Sequence, residues 1–409
     1  MQTELAPEFK GTADGQAAEA ILRKCVHCGF CTATCPTYQL LGDELDGPRG
    51  RIYLMKQVLE GKTPTRATQL HLDRCLTCRN CETTCPSGVQ YGHLVDIGRR
   101  IVDEKVPRPP LEKAKRWMLK EGLTSPLFAP AMKLGQSVRG LLPEAVRAKV
   151  PAKQDAGRWP TRTHARKVLM LAGCVQPSMM PNINSATARV LDAAGIQTVI
   201  APEAGCCGAV KFHLNDHEGG KAHMRANIDA WWPAVERDEV EAIVMNASGC
   251  GVMVRDYGHA LADDPAYALK ARRISELTRD LSELLPDMVP ALKSRVRVPE
   301  GAVAYHPPCT LQHGQKLRGG VEVNLRALGF DVQVAKSESH LCCGSAGTYS
   351  VLQPEIAYQL RDRKLGHLGQ LQPTTIVSAN IGCITHLQSG STTPVRHWVE
   401  VLDAALAAG

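Results

Sequence analysis

Short apolar runs alternate with helical patterns along the C-terminal part of the chain. The apolar runs are four to six residues long and are rich in Val, Ile, Leu and Ala, which is typical of buried strands. They lie at 167–172, 196–200, 241–245, 302–305, 330–334 and 375–378. Helical spacing occupies 184–194 and 321–328. Strands that alternate with helices predict parallel α/β units.

The first 105 residues show a different pattern. Residues 51–60 have helical spacing and end at Gly61. Prolines at 107, 109 and 110 mark a boundary. Residues 111–150 mix apolar groups with Lys and Arg. We interpret them as a linker helix packed on its own protein, with an amphipathic surface for a membrane or a partner as the alternative.

These patterns divide the chain into five parts. The predicted parts are a polar lead-in (1–20), a helical domain (21–105), a linker with a helical segment (106–166) and two α/β modules (167–295 and 296–409).

Composition excludes several classes of protein. Hydrophobic residues make up 44% and charged residues 22% of the 409, as in ordinary globular proteins. The net charge of +7 is too small to favour nucleic-acid binding, so no nucleic-acid partner is expected. The polar N-terminal stretch has no signal-peptide core, so a cytoplasmic, reducing compartment is expected and disulfides are not. The 16 cysteines therefore need another explanation.

Eight of the cysteines form a doubled motif near the N-terminus. The pattern C-x2-C-x2-C-x3-C-P occurs twice, at Cys25, Cys28, Cys31 and Cys35 and at Cys75, Cys78, Cys81 and Cys85. This is the bacterial ferredoxin pattern for [4Fe–4S] clusters, in which the fourth cysteine ligates the other cluster. The predicted ligand sets are Cys25, Cys28, Cys31 and Cys85, and Cys75, Cys78, Cys81 and Cys35. A pair of structural zinc sites is the alternative, but such sites normally use cysteine pairs separated by longer loops.

The other eight cysteines reveal an internal duplication. Cys174, Cys206, Cys207 and Cys250 correspond to Cys309, Cys342, Cys343 and Cys383, at offsets of 135, 136, 136 and 133 residues. Each half contains Cys-Cys-Gly, and adjacent cysteines rarely bond to each other. We therefore predict that at least one half ligates an additional iron–sulfur centre at the ends of its strands, where open α/β sheets bind ligands. No G-x-G-x-x-G or P-loop pattern occurs, so no nucleotide or flavin site is predicted on this chain.

Together these motifs resemble the iron–sulfur subunits of glycolate oxidase. The stretches 31–51, which includes Cys31 to Arg51, and 340–349, which includes Cys342-Cys343-Gly344, carry the closest similarity. The resemblance implies an electron-transfer subunit with two [4Fe–4S] clusters and room for one or two further centres. It also implies FAD-containing partner subunits that oxidise glycolate, or D-lactate, and a membrane or quinone-type acceptor. A peripheral position on the inner face of the cell membrane follows from the same resemblance.

One departure concerns the end of each Cys-Cys-Gly module. In the related heterodisulfide reductase subunits the module ends in C-x2-C, whereas here Met253 and His386 stand at the last position. His386 is a candidate replacement ligand, although a hydrogen-bonding histidine is the favoured interpretation, as it is for His306 and His313. Arg49, Arg51 and Arg79 are candidates for offsetting cluster charge, with ordinary solvated arginines as the alternative.

The expected fold is an α+β multidomain chain, with a helical two-cluster ferredoxin-type domain followed by duplicated α/β Cys-Cys-Gly modules. The leading function is an electron-transfer subunit of an oxidoreductase, and no catalytic residue is predicted. The alternatives are a heterodisulfide-reductase-like catalytic thiol/disulfide subunit, the iron–sulfur subunit of another flavin-dependent enzyme such as anaerobic glycerol-3-phosphate dehydrogenase, and a structural metal-binding scaffold.

Overall fold

The computed structural model describes residues 1–406, so the last three residues of the predicted second module lie outside the described part of the chain. The N-terminal domain is helical. Its helices are Ala13–Lys24, Pro36–Leu41, Pro48–Leu59, Arg66–Asp73, Asn80–Thr84 and Tyr91–Lys105. Pro36 and Pro48 occupy first helical positions, where the missing N–H costs no hydrogen bond. The predicted helix at 51–60 is thus part of Pro48–Leu59.

A separate aliphatic core holds this domain together. Met55, Leu72 and Leu94 are almost fully buried within it. The same core includes Cys25, Cys75 and Cys81, so the cysteine loops are anchored to the packed interior of the domain.

Three helices connect this domain to the modules: Pro110–Thr124, Phe128–Ser137 and Glu144–Arg147. None of the residues of the first two helices is buried. The first helix contacts the rest of the protein through ion pairs, from Arg116 to Asp73 (3.0 Å) and from Lys120 to Asp216 (3.0 Å). Charged groups make these contacts, while Leu111, Trp117 and Met118 of the same helix are exposed.

Each module is built on a four-stranded parallel sheet. The first contains β1 (Arg166–Met170), β2 (Ile196–Val199), β3 (Ala242–Met245) and β4 (Thr278–Asp280), in the order β2-β1-β3-β4. The second contains β5 (Val303–Tyr305), β6 (Val332–Val334), β7 (Thr375–Ser378) and β8 (Val395–His397), in the order β6-β5-β7-β8. The two sheets repeat one topology, which confirms the predicted duplication of α/β units.

Helices cover the sheets of both modules. In the first module they are Gln176–Met179, Pro181–Ala193, Ala209–His213, His217–Glu236, Ser248–Arg255, Tyr257–Ala260, Ala268–Leu277 and Leu281–Leu292. In the second they are Gly320–Ala327, Tyr349–Leu352, Pro354–Gly369, Ile381–Gln388 and Trp398–Ala405, with a π-helical turn at Thr310–Gly314.

The two modules share one hydrophobic core. Val190 and Leu285 of the first module lie in the same buried cluster as Leu325 and Trp398 of the second. At the edge of this contact Arg189 binds the Asp403 carboxylate with two nitrogens, at 2.9 and 2.7 Å. The modules are thus held against each other by packing as well as by charge. Within residues 1–406, no helix combines the length and the apolar character needed to cross a bilayer.

Candidate metal centres

The two N-terminal cysteine loops share an unusual backbone conformation. His27 and Gly29 in the first loop, and Thr77 and Arg79 in the second, all have positive φ values between 53° and 86°. These left-handed residues wrap each loop tightly and turn backbone N–H groups inward, so that Thr77 N–H lies 3.4 Å from Cys75 Sγ. A loop that presents three sulfurs and inward N–H groups is suited to a bulky anionic cluster.

The fold brings the N-terminal cysteines into two groups. A cavity is lined by Cys25, Cys28, Cys31 and Cys85, with Cys81 also at its wall. A second cavity is lined by Cys35, Cys75, Cys78 and Cys81. Each set of four therefore combines three cysteines from one motif with the Cys-Pro cysteine of the other, the arrangement that crossed ligation needs.

The chemistry of these groups fits a metal cluster. Burial, together with the neighbouring Cys25, raises the pKa of Cys31 to about 11. Burial and the nearby thiols raise the pKa values of Cys78 and Cys81 well above the usual value as well. Four crowded sulfurs cannot all ionise unless a positive centre lies among them, and iron ions provide that charge.

Arginines lie close to both cavities, and one of them is fully buried. The guanidinium of Arg51 is 1% exposed and donates to His71 O (2.7 Å) and to Thr37 Oγ1 (3.1 Å). It faces Cys75 and Cys35, so it places a positive charge beside the second cavity. Arg49 is about one-third exposed at the first cavity. For Arg51, the interpretation as a solvated arginine is wrong.

Each Cys-Cys-Gly module gathers its four cysteines at the carboxyl end of its sheet. In the first module Cys174 follows β1, Cys206 and Cys207 follow β2, and Cys250 lies in the helix after β3. Hydrogen bonds from the Cys174 and Cys207 thiols hold the pKa of Cys206 far below its usual value. The thiolate form of Cys206 is thus favoured among the four cysteines of the first module.

The second module repeats the arrangement in a more enclosed form. Cys309 Sγ lies 3.7 Å from Cys342 Sγ, and Cys343 is adjacent to Cys383. All four of these cysteines are buried, whereas Cys174 and Cys250 of the first module are partly exposed. The second site is therefore better shielded from water.

Glycine is required after each cysteine pair. Gly208 and Gly344 have φ values of 92° and 89°, and their N–H groups lie 3.4 Å from Cys206 Sγ and Cys342 Sγ. A Cβ at Gly208 would lie 2.7 Å from Gly220 O, and one at Gly344 would lie 2.4 Å from Ala357 O. Both modules thus use the same glycine turn to direct the sulfur of Cys206 or Cys342 toward the other cysteines of its group.

The histidines of the second module differ in their surroundings. His386 places Nε2 3.1 Å from Ala357 O, and His313 contacts Thr83 Oγ1 (2.9 Å) and His340 O (2.8 Å). Both bind protein atoms, in keeping with the favoured interpretation. His306 is different, because a ring nitrogen lies within 4.8 Å of the sulfurs of Cys343 and Cys383. Burial and the charge of Lys364 lower its pKa well below the usual value.

The second cysteine loop packs directly against the second module. Leu76 belongs to the same buried cluster as Cys309 and Cys342, and Cys78 packs against that cluster. Asn80 Nδ2 also lies 3.4 Å from His340 O. We call this contact surface, which includes Leu76 and Cys78 on one side and Cys309 and Cys342 on the other, the seam. Sequence analysis could not predict the seam, because it joins residues more than 200 positions apart.

Comparison with known proteins assigns both cysteine-rich parts of the chain to described domain families. A model of the 4Fe-4S dicluster domain matches residues 21–89, and a model of the cysteine-rich domain matches residues 168–255 and 303–388. The chain is 57% identical to the glycolate oxidase iron-sulfur subunit of Escherichia coli, over 99% of both chains. It is 31% identical to the probable glycolate oxidase iron-sulfur subunit of Bacillus subtilis, over 95% of this chain and 92% of the relative. Lactate utilization protein A of an Exiguobacterium strain is 27% identical over 58% of this chain and 96% of its own length. The chain therefore belongs to the family of glycolate oxidase iron–sulfur subunits.

Proposed function

We propose that this chain is the iron–sulfur electron-transfer subunit of a glycolate-oxidising complex. In this proposal FAD-containing partner subunits oxidise glycolate to glyoxylate, or D-lactate to pyruvate, and this chain conducts the electrons to a membrane or quinone-type acceptor. Its clusters, when bound, supply one-electron transfer.

The seam between the second cysteine loop and the second module is the observation that carries the proposal. Leu76 and Cys78 pack on the cluster that contains Cys309 and Cys342. A scaffold with independent metal sites would not need this contact. A chain that conducts electrons from one site to the next benefits from it, because the contact shortens the path between the two sets of sulfurs.

The opposite end of the N-terminal domain suits a docking partner. Cys28 is exposed at the first cavity, and beside it Val26 is 69% and Phe30 is 62% exposed. Exposed apolar side chains around a half-open site favour a protein interface. We assign this end to the flavoprotein partner, so that the first site receives electrons and the second site lies toward the interior.

The proposed substrate and partner are inferred from the relatives. Two of them are named as glycolate oxidase iron–sulfur subunits and one as a lactate utilization protein. These names favour a short 2-hydroxy acid as the substrate of the complex.

We assign membrane attachment to the linker helices. Residues 106–150 contain nine Lys and Arg against three Glu. Arg116 and Lys120 pair with Asp73 and Asp216 of the rest of the protein, whereas Lys113 and Lys133 are exposed. On the same segment Leu111 is 83% and Met118 is 65% exposed. Basic groups interspersed with exposed apolar side chains fit an anionic membrane surface, with the chain on the inner, cytoplasmic face.

Vesicle binding tests this attachment. The protein should sediment with vesicles that contain phosphatidylglycerol and not with vesicles of phosphatidylcholine alone. Leu111→Gln combined with Met118→Gln should weaken that binding at least tenfold, whereas Leu269→Gln, at an equally exposed site on the first module, should not. Failure to bind either vesicle would assign the surface to a protein partner instead.

Co-purification tests the function itself. A tagged chain expressed in its native host should retain flavoprotein subunits, and the complex should reduce a dye with glycolate. The purified chain alone should contain iron without flavin and should not oxidise glycolate. Disulfide turnover by the isolated chain would instead support a thiol/disulfide reductase, and redox-silent zinc would support a structural scaffold.

A further inference from the structure

His306 has an environment that a purely structural histidine would not have. It directly follows β5 and is 1% exposed, and neither of its ring nitrogens has a hydrogen-bond partner among the described residues. Its backbone is fixed, since His306 N–H donates to Val377 O (2.8 Å) and its carbonyl accepts from Ser378 Oγ (3.0 Å). A buried imidazole without a partner destabilises the fold unless something else binds it.

The cysteines of the second site lie where such a partner would be. One ring nitrogen of His306 and the sulfurs of Cys343 and Cys383 all lie within 4.8 Å of one another. These three atoms are close enough to contact one metal centre from different sides. Imidazole nitrogen and thiolate sulfur are both ordinary ligands of iron.

The first module has an apolar residue at the position equivalent to His306. Cys174 corresponds to Cys309, so Leu171 corresponds to His306, and Leu171 is buried in an apolar core. A second difference points the same way. Met224 lies against Gly208 as Leu360 lies against Gly344, and four residues later the first module has the buried Ile228 where the second has Lys364.

Lys364 adds a positive charge beside the second site only. It is 3% exposed, donates to Glu338 O, and lies near Cys342 and Cys343. A buried ammonium next to thiols is expected where those thiols carry negative charge in the working state. The two modules share a fold but differ in the chemistry of their sites.

We propose that His306 is a ligand of the metal centre in the second module, so that this iron–sulfur centre has a mixed cysteine and histidine ligand set while the first module has cysteine ligands only. A neutral imidazole adds a ligand without adding negative charge, and histidine ligation accompanies a raised reduction potential in Rieske centres. Together with the positive charge of Lys364, which the first module lacks, this makes the second centre the stronger electron acceptor of the two. The inference rests on metal binding by the second module and not on the identity of the substrate.

Hyperfine spectroscopy tests this ligation directly. The isolated chain, purified without oxygen from cells fed 15N-histidine and reduced by dithionite, should show coupling between an iron–sulfur signal and an imidazole nitrogen. His306→Gln should abolish that coupling, and His386→Gln should leave it intact. Absence of the coupling in the unsubstituted protein, or its persistence in His306→Gln, would overturn the proposal.

Iron content provides the second measurement. The iron that is lost when Cys342 and Cys343 are both replaced by Ser is the part of the total iron that the second module binds. His306→Leu, which copies the first module, should retain four cysteine ligands and change the spectrum of the second centre, and His306→Cys should change that spectrum in a different way. Unchanged circular dichroism in both variants excludes misfolding. An unchanged spectrum with full iron in His306→Leu would contradict the assignment, as would zinc in place of iron.

Discussion

The hydroxyl of Tyr349 donates a hydrogen bond to the backbone carbonyl of Arg74 at 2.9 Å, which joins the residue before Cys75 to the start of the helix Tyr349–Leu352. Tyr349 is also part of the buried cluster that contains Leu76 and Cys309. The N-terminal domain is therefore attached to the second module at the two sets of cysteines themselves. This attachment places the second N-terminal site next to the second module on the proposed electron path.

If the ligands are crossed, variants of two cysteines that line the same cavity should have the same effect on one cluster. Cys85→Ser should give the same altered spectrum as Cys28→Ser, because both side chains line the first cavity. Cys35→Ser should match Cys78→Ser for the same reason at the second cavity. Electron paramagnetic resonance of the dithionite-reduced protein distinguishes the two classes. If Cys35→Ser instead matches Cys28→Ser, the ligands are not crossed.

The Cys-Cys-Gly pairs should differ in importance. Replacing Cys342 and Cys343 together with Ser should remove iron and reduce glycolate-dependent acceptor reduction by the complex at least tenfold. Replacing Cys206 and Cys207 should have a smaller effect on that activity, because Cys78 packs against the apolar cluster of Cys309 and Cys342, whereas the same loop meets the first module through the ion pair of Arg79 with Asp256 (3.0 Å). Full iron and full activity in both double variants would show that these cysteines are not cluster ligands.

Arg51 should tune the second N-terminal cluster. Arg51→Gln removes a buried positive charge that faces Cys75 and Cys35, so adding an electron becomes harder. We expect the reduction potential of that cluster to fall by tens of millivolts, on the order of the effect of one nearby charge. Arg49→Gln, at a partly exposed site, is the control and should shift the other cluster less. A redox titration that shows no shift for Arg51→Gln would contradict this role.

Asp280 should make stability depend on pH. Burial raises the pKa of this carboxyl to about 6, against 3.8 for the ordinary group. The folded state then holds the proton more tightly than the unfolded state, so stability falls as the pH rises from about 4 to about 6 and is level above. At about 1.4 kcal/mol per pKa unit, the total is up to about 3 kcal/mol.

Asp280→Asn retains an oxygen for Ser282 N–H and removes this dependence. The melting temperature of Asp280→Asn relative to the unsubstituted protein should therefore rise from about pH 4 to about pH 6 and then stay constant. Asp287→Asn, at an exposed position on the helix that follows, should show no such trend. A constant difference for Asp280→Asn across this range would show that the carboxyl does not titrate there.

Local patterns predicted most of the fold. The apolar runs located six of the eight strands, with bounds that differ by at most two residues. The two missed strands, β4 and β8, are three residues long, and an exposed Arg279 or Arg396 occupies the middle of each. No apolar run marks such strands. They form because β3 and β7 offer them a free edge.

The site was predicted less completely. Motif spacing identified the cysteines, because a cluster needs several sulfurs from one tight loop. Spacing also singled out His386, since it stands where a fifth cysteine is missing, but the helix Ile381–Gln388 turns it toward Ala357. His306 reaches the sulfurs because it lies at a strand end. Comparison of His306 with Leu171 in the two halves was the signal that could have found it.

Reduction of the clusters by substrate tests the central claim most directly. The purified complex should be mixed with glycolate without oxygen, frozen within one turnover and examined by electron paramagnetic resonance. We predict that signals from iron–sulfur centres on this chain appear with glycolate, and that they are absent when this chain is treated with glycolate alone. Glycolate oxidation by the flavin-free chain, or clusters in the complex that stay oxidised while the flavoprotein turns over, would contradict the account.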